Sequence, residues 1–253
     1  MIDFYQFPSL QSYDNVVHAV TQKQEQFPHA FSLALHTGEV EEHIVQNREE
    51  LAKALEQRRD WHFVVANQTH SDHIVVVDEA LQKGWHSLED AITDCDALMT
   101  HVKGCMLGIL TADCVPILLY DKEKEVVAAV HAGWKGSQAN IVGKSVQKMQ
   151  EVYGSSPEEI VAVIAPSIGK CCYEVGEEVA KHFYEMPQSF SKEGEKYRLD
   201  LPYINKYQLL EAGLKEEHIT LSHLCTACDT QHFFSYRKEQ GCSGRFMSLI
   251  GLT

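Results

Sequence analysis

Three segments of this chain place a residue able to ligate a metal at the end of an apolar, β-like run: VVANQTH at His70, GILTADC at Cys114 and VVAAVH at His131. A thiolate and two imidazoles form a borderline-soft donor set that suits Zn²⁺ and leaves one tetrahedral position for water or substrate. Copper is the other metal such a set accepts. Each residue also has a plainer reading, Cys114 as a buried thiol and the two histidines as polar strand ends. Asn67 and Asp113 put polar groups beside the three, and Gly133 and Gly136 around Trp134 allow close backbone approach.

Positioning such groups needs rigid strands. Runs rich in Val, Ile and Leu at 62–66, 73–77, 105–111, 115–120, 126–131, 160–165 and 245–250 read as strands. Helical spacing predicts a helix over 47–59, with Asn47 as cap and Leu51, Ala54 and Leu55 on one face. A second helix is predicted from 138 to about 153, stopped by Gly154 and Pro157, and shorter ones at 176–185 and 203–212. The polar stretch from Pro187 to Arg198 reads as a strand-poor surface excursion. The pattern is mixed α/β. No linker, low-complexity tract or solenoid repeat divides it, which favours one domain over 1–253.

Other residues carry weaker signals. Arg48 follows the expected cap Asn47, where helix N–H groups favour anions; a solvated helix residue is the alternative. Arg245 beside Gly244 is a comparable candidate for holding substrate or phosphate. Glu174 reads either as an acid/base or as a carboxylate capping the helix at 176. Cys225-x-x-Cys228 is half a zinc knuckle with no second pair after it, so these two read as core or site-wall thiols. The adjacent Cys171 and Cys172 are expected to diverge, one towards the pocket and one towards the core.

A net charge of -14 opposes binding to polyanions, which excludes nucleic acid and anionic membrane as expected partners. A local basic pocket for one phosphate remains compatible with it. The start, MIDFYQFPSL, lacks the pattern of a secretory signal, and the most apolar window, Cys105 to Tyr120, is too short to span a bilayer as a helix. The expected location is cytoplasmic, with all eight cysteines as thiols.

The strings NQTHSD, LTADCVPILLYD, VHAGWKG, APSIGKCCYEVG and CTACD, followed by FFSYR, GR and SLIGL, closely resemble the YlmD/YfiH family of laccase-domain proteins from about Asn47 onward. The resemblance implies a single-domain α/β fold, a mixed-sheet sandwich with helices, with zinc on His70, Cys114 and His131. It implies purine nucleoside phosphorolysis of adenosine, inosine and 5′-methylthioadenosine with adenosine deamination, while another branch of the family edits peptidoglycan precursors. Purine nucleoside and phosphate would then be the partners, at most with a second copy in a homodimer. Asn67, Lys135, Glu174, Arg48 and Arg245 become the substrate-binding candidates.

Two departures stand out. The Arg-Gly-Gly loop before the family's first helix is replaced by FPHAFSLALHTGE, and GWRG becomes GWKG, so that Lys135 offers a point charge in place of a planar fork. Two other classes remain open. A multicopper oxidase needs close-spaced H-x-H ligands that do not occur here. A thiol hydrolase would use Cys114 as nucleophile with His131 or His70 as base.

Overall fold

The computed structural model describes residues 2–55, 60–241 and 243–253. In chain order the strands are β1 (Phe4–Tyr5), β2 (Val16–Thr21), β3 (His62–Val65), β4 (Ile74–Val76), β5 (Ala97–Thr100), β6 (Cys105–Thr111) and β7 (Val115–Asp121). They continue with β8 (Val126–Ala132), β9 (Ile160–Ile164), β10 (Glu174–Val175), β11 (Phe190–Glu193), β12 (Lys196–Leu199), β13 (Ile219–Leu221) and β14 (Phe246–Leu252). The helices are α1 (Pro8–Gln11), α2 (Glu41–Leu55), α3 (Trp134–Gln138), α4 (Ile141–Tyr153), α5 (Glu177–Ala180) and α6 (Leu201–Glu211).

Two mixed sheets pack face to face, a five-stranded one in the order β1-β2-β14-β6-β3 and a six-stranded one in the order β13-β9-β7-β8-β5-β4. The period of two in each strand sorts the side chains into layers. Leu107 and Ile109 of β6 meet Leu118 and Tyr120 of β7 and Val127 and Ala129 of β8 between the sheets. The alternate residues of β7 and β8, such as Ile117, Leu119, Ala128 and Val130, pack against Val142, Val146 and Met149 of α4 and Ile204 and Leu209 of α6. On the far side, Met106 and Leu110 of β6 pack with Met247, Leu249 and Leu51 of α2. The result is a helix, sheet, sheet, helix sandwich, the α/β class expected from the sequence.

Strand direction gathers the functional segments. β3 runs parallel to β6, with Val64 opposite Leu107, so the two finish at the same edge of the sandwich. β7 begins where β8 ends, with Val115 opposite Ala132 and Pro116 opposite His131. The loops at 66–73 and 112–114 and the end of β8 therefore converge.

The seven expected strands are present, most with shifted ends, and the helix expected from 138 to about 153 is α4, stopped as expected by Gly154 at φ 68° and capped at its start by Asn140, which accepts from the Gly143 N–H at 3.2 Å. Three expectations change. The helix placed at 47–59 begins six residues earlier, at Glu41, where Glu41 and Glu42 favour the positive end of its dipole, and its predicted residues 56–59 lie outside the described residues. Asn47 is consequently an interior helix residue and not a cap. The stretch from Pro187 to Arg198 is not strand-poor: β11 and β12 form an antiparallel hairpin that extends to β10. Its inward Tyr197 and Leu199 join the helical core, which the polar residues between them obscure.

Candidate metal centre

His70, Cys114 and His131 come together at the edge of the two sheets, their ligand atoms all within 4.8 Å of one another. The His70 Nε2 lies 3.8 Å from Cys114 Sγ, and the His70 and His131 rings meet edge to face with centroids 4.9 Å apart. His131 is the last inter-sheet residue of β8 and is buried; His70 is exposed and Cys114 half-buried. Two residues of this edge occupy left-handed backbone, His70 at φ 61° and Asp113 at φ 88°. Such conformations persist only when their surroundings hold them. Asp113 is held by the Thr226 hydroxyl at 2.7 Å on Oδ1 and the Arg237 N–H at 2.7 Å on Oδ2, while its carbonyl accepts from Ile168 N–H. Those bonds fix the backbone immediately before Cys114.

Asp96, at the start of β5, does the same for both histidines. Its Oδ1 accepts from His131 Nδ1 at 2.7 Å and from the His70 N–H at 3.1 Å. Its Oδ2 accepts from the Ser71 N–H and hydroxyl, each at 2.7 Å, and from the Thr69 N–H at 3.2 Å. Burial alone would raise the Asp96 pKa, but the His131 and Ser71 bonds hold it well below the usual carboxylate range. With Nδ1 thus engaged, His131 presents Nε2 to the site, the usual arrangement behind a ligating histidine.

The electrostatics favour an anionic sulfur. Burial pushes the Cys114 thiol up, yet the charge and hydrogen bonds of His131 and then His70 outweigh it and bring the thiol down to about 6. Burial likewise opposes a charged His131, but Cys114 and Asp96 raise it to about 9. Each of Cys114 and His131 thus favours the charged form of the other, and a metal would replace the His131 proton. The backbone leaves room for it: a Cβ on Gly133 would lie 2.9 Å from His70 Cδ2 and 3.0 Å from Cys114 Sγ. The donor set and the space fit a tetrahedral Zn²⁺ with one open position.

A cavity of about 460 Å³ opens in front of the three residues. Trp134, Tyr173 and Tyr236 supply aromatic surface, Arg237 and Arg245 supply charge, and His36 and Gln68 supply further polar groups. The volume falls within the roughly 300–1,000 Å³ typical of small-molecule sites. Arg237 lies over the Tyr173 ring and Arg245 over the Tyr236 ring, at 5.1 and 5.6 Å. Burial and the cations Arg245 and Arg48 lower the His36 pKa, which favours a neutral imidazole there.

Of the residues singled out from sequence, His70, Cys114, His131 and Arg245 share this cavity. Arg48 does not line it. Its buried guanidinium donates to the carbonyls of Leu33 at 2.8 Å and Trp85 at 2.8 Å, and also to Gly84, and it lies over the Trp85 ring. Asn47 beside it donates to Pro28 and Ser32 carbonyls, both at 2.9 Å. Together they clamp the unusual loop before α2, whose His36 reaches the cavity. Asn67 is exposed and its neighbour Gln68 takes the cavity position, bonded to Leu110 through both side-chain ends. Lys135 is exposed on α3 with its ammonium 5.8 Å from the Trp134 ring centre. Glu174 is exposed and pairs with Arg198 at 3.5 Å, while its carbonyl accepts from Arg237. Cys171 and Cys172 do not diverge: both sulfurs approach Cys228.

The sequence reading missed Asp96, His36, Tyr173 and Arg237. Asp96 stands in DCDALMT ahead of an unpredicted strand, and nothing local marks one of its two aspartates as the histidine partner. Tyr173 and Arg237 were within recognised strings without any chemical pattern of their own.

The family model described as multi-copper polyphenol oxidoreductase laccase matches residues 18–253. A purine nucleoside phosphorylase of Bacteroides thetaiotaomicron is 34% identical over 255 residues, covering 96% of this chain and 94% of the relative. The adenosine deaminase RL5 from an unknown prokaryotic organism is 35% identical over 189 residues, covering 72% of each chain. The crystal structure of YlmD from Geobacillus stearothermophilus superposes with a TM-score of 0.91 at 30% identity, covering 100% of this chain and 99% of that one.

Proposed function

Since the chain belongs to the multi-copper polyphenol oxidoreductase laccase family, we propose that it is a zinc-dependent purine nucleoside phosphorylase with adenosine deaminase side activity. Adenosine, inosine and 5′-methylthioadenosine are the proposed substrates. The observation that carries this reading is the union, in one cavity, of a His, Cys and His donor set with two arginines and three aromatic rings. The phosphorylase and deaminase names of the relatives support it.

In phosphorolysis an oxygen of phosphate bonds to C1′ of the ribose as the bond from C1′ to the base nitrogen breaks. The bonding electrons leave with the base, which takes up a proton. Arg245 and Arg237 supply charge-assisted donors for phosphate in a chain that is otherwise strongly anionic. Trp134, Tyr173 and Tyr236 offer flat faces to a purine, and Gln68, held by Leu110, contributes an oriented edge of the cavity. His70, Cys114 and His131 would hold the zinc, which would supply Lewis-acid polarisation. His36, kept neutral, offers the nucleoside one ring N–H to donate and one ring nitrogen to accept a hydrogen bond, and the proton taken up by the leaving base is supplied by solvent.

The thiolate and imidazolium pair of Cys114 and His131 also favours a second reading, a thiol hydrolase with Cys114 as nucleophile. A panel of nucleosides incubated with and without phosphate separates the two. Free base released only with phosphate, and partly deaminated adenosine, is the expected result. Base release that ignores phosphate, or loss of turnover on alkylating Cys114 in a fully active metal-free enzyme, contradicts the phosphorylase reading.

A further inference from the structure

We infer that Cys171, Cys172, Cys225 and Cys228 form a second metal site, a four-thiolate Zn²⁺ centre that ties together two loops behind the cavity wall. The loops leave one edge of the six-stranded sheet side by side, because β9 and β13 are parallel neighbours with Ile164 opposite Leu221. A bridge between Ser167 and Cys225 continues the pairing, with the Thr226 N–H donating to the Ser167 carbonyl at 3.0 Å. Beyond it the chain folds back so that all four sulfurs lie within 4.8 Å of one another. Cys171 Sγ is 3.6 Å and Cys172 Sγ 3.3 Å from Cys228 Sγ. Four sulfurs around zinc at about 2.3 Å would lie roughly 3.8 Å apart, so the observed spacing needs only small adjustment.

The surroundings are those of a ligand sulfur and not of a core thiol. Cys171 and Cys228 are exposed and Cys172 and Cys225 only half-buried, whereas among the described residues Cys95 and Cys105 are buried in the core. The Gly169 N–H donates to Cys225 Sγ at 3.2 Å, as backbone amides do around metal-bound thiolates. The Cys228 N–H bonds back to the Cys225 carbonyl at 3.1 Å, giving Cys225-x-x-Cys228 the tight turn that brings both sulfurs to one side. Space is reserved as well: a Cβ on Gly169 would lie 3.3 Å from Cys225 Cβ and 3.4 Å from Cys171 Sγ. A single disulfide would use two sulfurs and draw them to about 2.05 Å. Convergence of four on one point matches the valence of zinc, and no other His, Asp or Glu among the described residues joins the cluster.

The two loops matter to the catalytic cavity. Tyr173, which directly follows Cys172, lines it, and Thr226, which directly follows Cys225, holds Asp113 ahead of Cys114. The second metal would fix both without touching substrate.

The test uses the Cys114→Ala chain reconstituted with Co²⁺, because that substitution removes the single thiolate of the first centre. Intense thiolate-to-cobalt charge-transfer absorption with tetrahedral visible bands, at one equivalent, is expected to persist. It should vanish when Cys172→Ser and Cys228→Ser are added. The unaltered chain gives an independent measurement: zinc should slow alkylation of the four thiols at least tenfold, and a chelator should restore it, read residue by residue by mass spectrometry under reducing conditions. No thiolate-to-cobalt absorption in Cys114→Ala, or equal alkylation with and without zinc, overturns the site. So does a disulfide among the four that persists in protein purified and kept under reducing conditions. Loss of the His70, Cys114 and His131 metal alone would leave all these outcomes unchanged, so the two centres fail separately.

Discussion

Asp96 Oδ1 accepts the Nδ1–H of His131 at 2.7 Å and the same oxygen accepts the His70 N–H at 3.1 Å, so one carboxylate orients two of the three proposed ligands. Outer-shell carboxylates of this kind typically contribute ten- to a hundredfold to metal affinity. Asp96→Asn keeps the shape but loses the charge that supports His131. Zinc affinity, measured by competition with a chromogenic chelator, should fall by roughly ten- to a hundredfold. An unchanged affinity would remove Asp96 from the metal centre.

Gly133 stands where any side chain would enter the donor set. Since a Cβ there would lie within 2.9 Å of His70 and 3.0 Å of Cys114, Gly133→Ala should displace a ligand while leaving the strand core intact. The expected outcome is loss of the zinc equivalent held by His70, Cys114 and His131, with little change in far-ultraviolet circular dichroism. Full zinc occupancy in this variant would show that the ligands lie elsewhere.

The two arginines first paired by sequence should now separate by assay. Arg245→Ala removes a cation from the cavity and should raise the phosphate KM by about tenfold or more, the equivalent of losing one charged hydrogen bond worth about 1.5–3 kcal/mol. Arg48→Met removes the donors to three buried carbonyls and should lower unfolding free energy by at least about 2 kcal/mol in urea. A destabilised Arg245→Ala with normal phosphate KM would reverse these roles.

His18 makes stability depend on pH at a residue outside the His70, Cys114 and His131 cluster. It is buried in β2, accepts the Phe7 N–H on Nε2 at 2.8 Å, and burial pushes its pKa down to about 4. A folded pKa below the unfolded value of about 6.5 means that the neutral ring stabilises the fold above pH 6.5, and that this contribution is lost as pH falls towards 4. Urea midpoints should therefore drop between pH 7 and pH 5, and His18→Gln should flatten that part of the profile. An equal slope in both proteins would count against it.

The strands and the cluster of His70, Cys114 and His131 were legible because β-like runs end in these residues, and strand direction then brings the ends together. The start of α2 was hidden because Asn47 and Arg48 interrupt its buried stripe of Ile44, Leu51 and Leu55 with polar groups. Each satisfies loop carbonyls distant in sequence, which no local period can reveal. Asp96 was hidden for a similar reason, since its partners lie 25 to 35 residues away. The four-thiol cluster was half legible as Cys225-x-x-Cys228. Only the parallel pairing of β9 with β13 brings Cys171 and Cys172 to it.

The most direct test of the account follows the oxygen atoms of phosphate. Zinc-loaded enzyme is given inosine and phosphate labelled with heavy oxygen, and the sugar product is analysed by mass spectrometry. Phosphorolysis at this cavity predicts ribose 1-phosphate carrying the full phosphate label, formed in step with hypoxanthine and lost in the Cys114→Ala variant. Unlabelled free ribose formed at the same rate without phosphate, or label incorporation undiminished in Cys114→Ala, would contradict it.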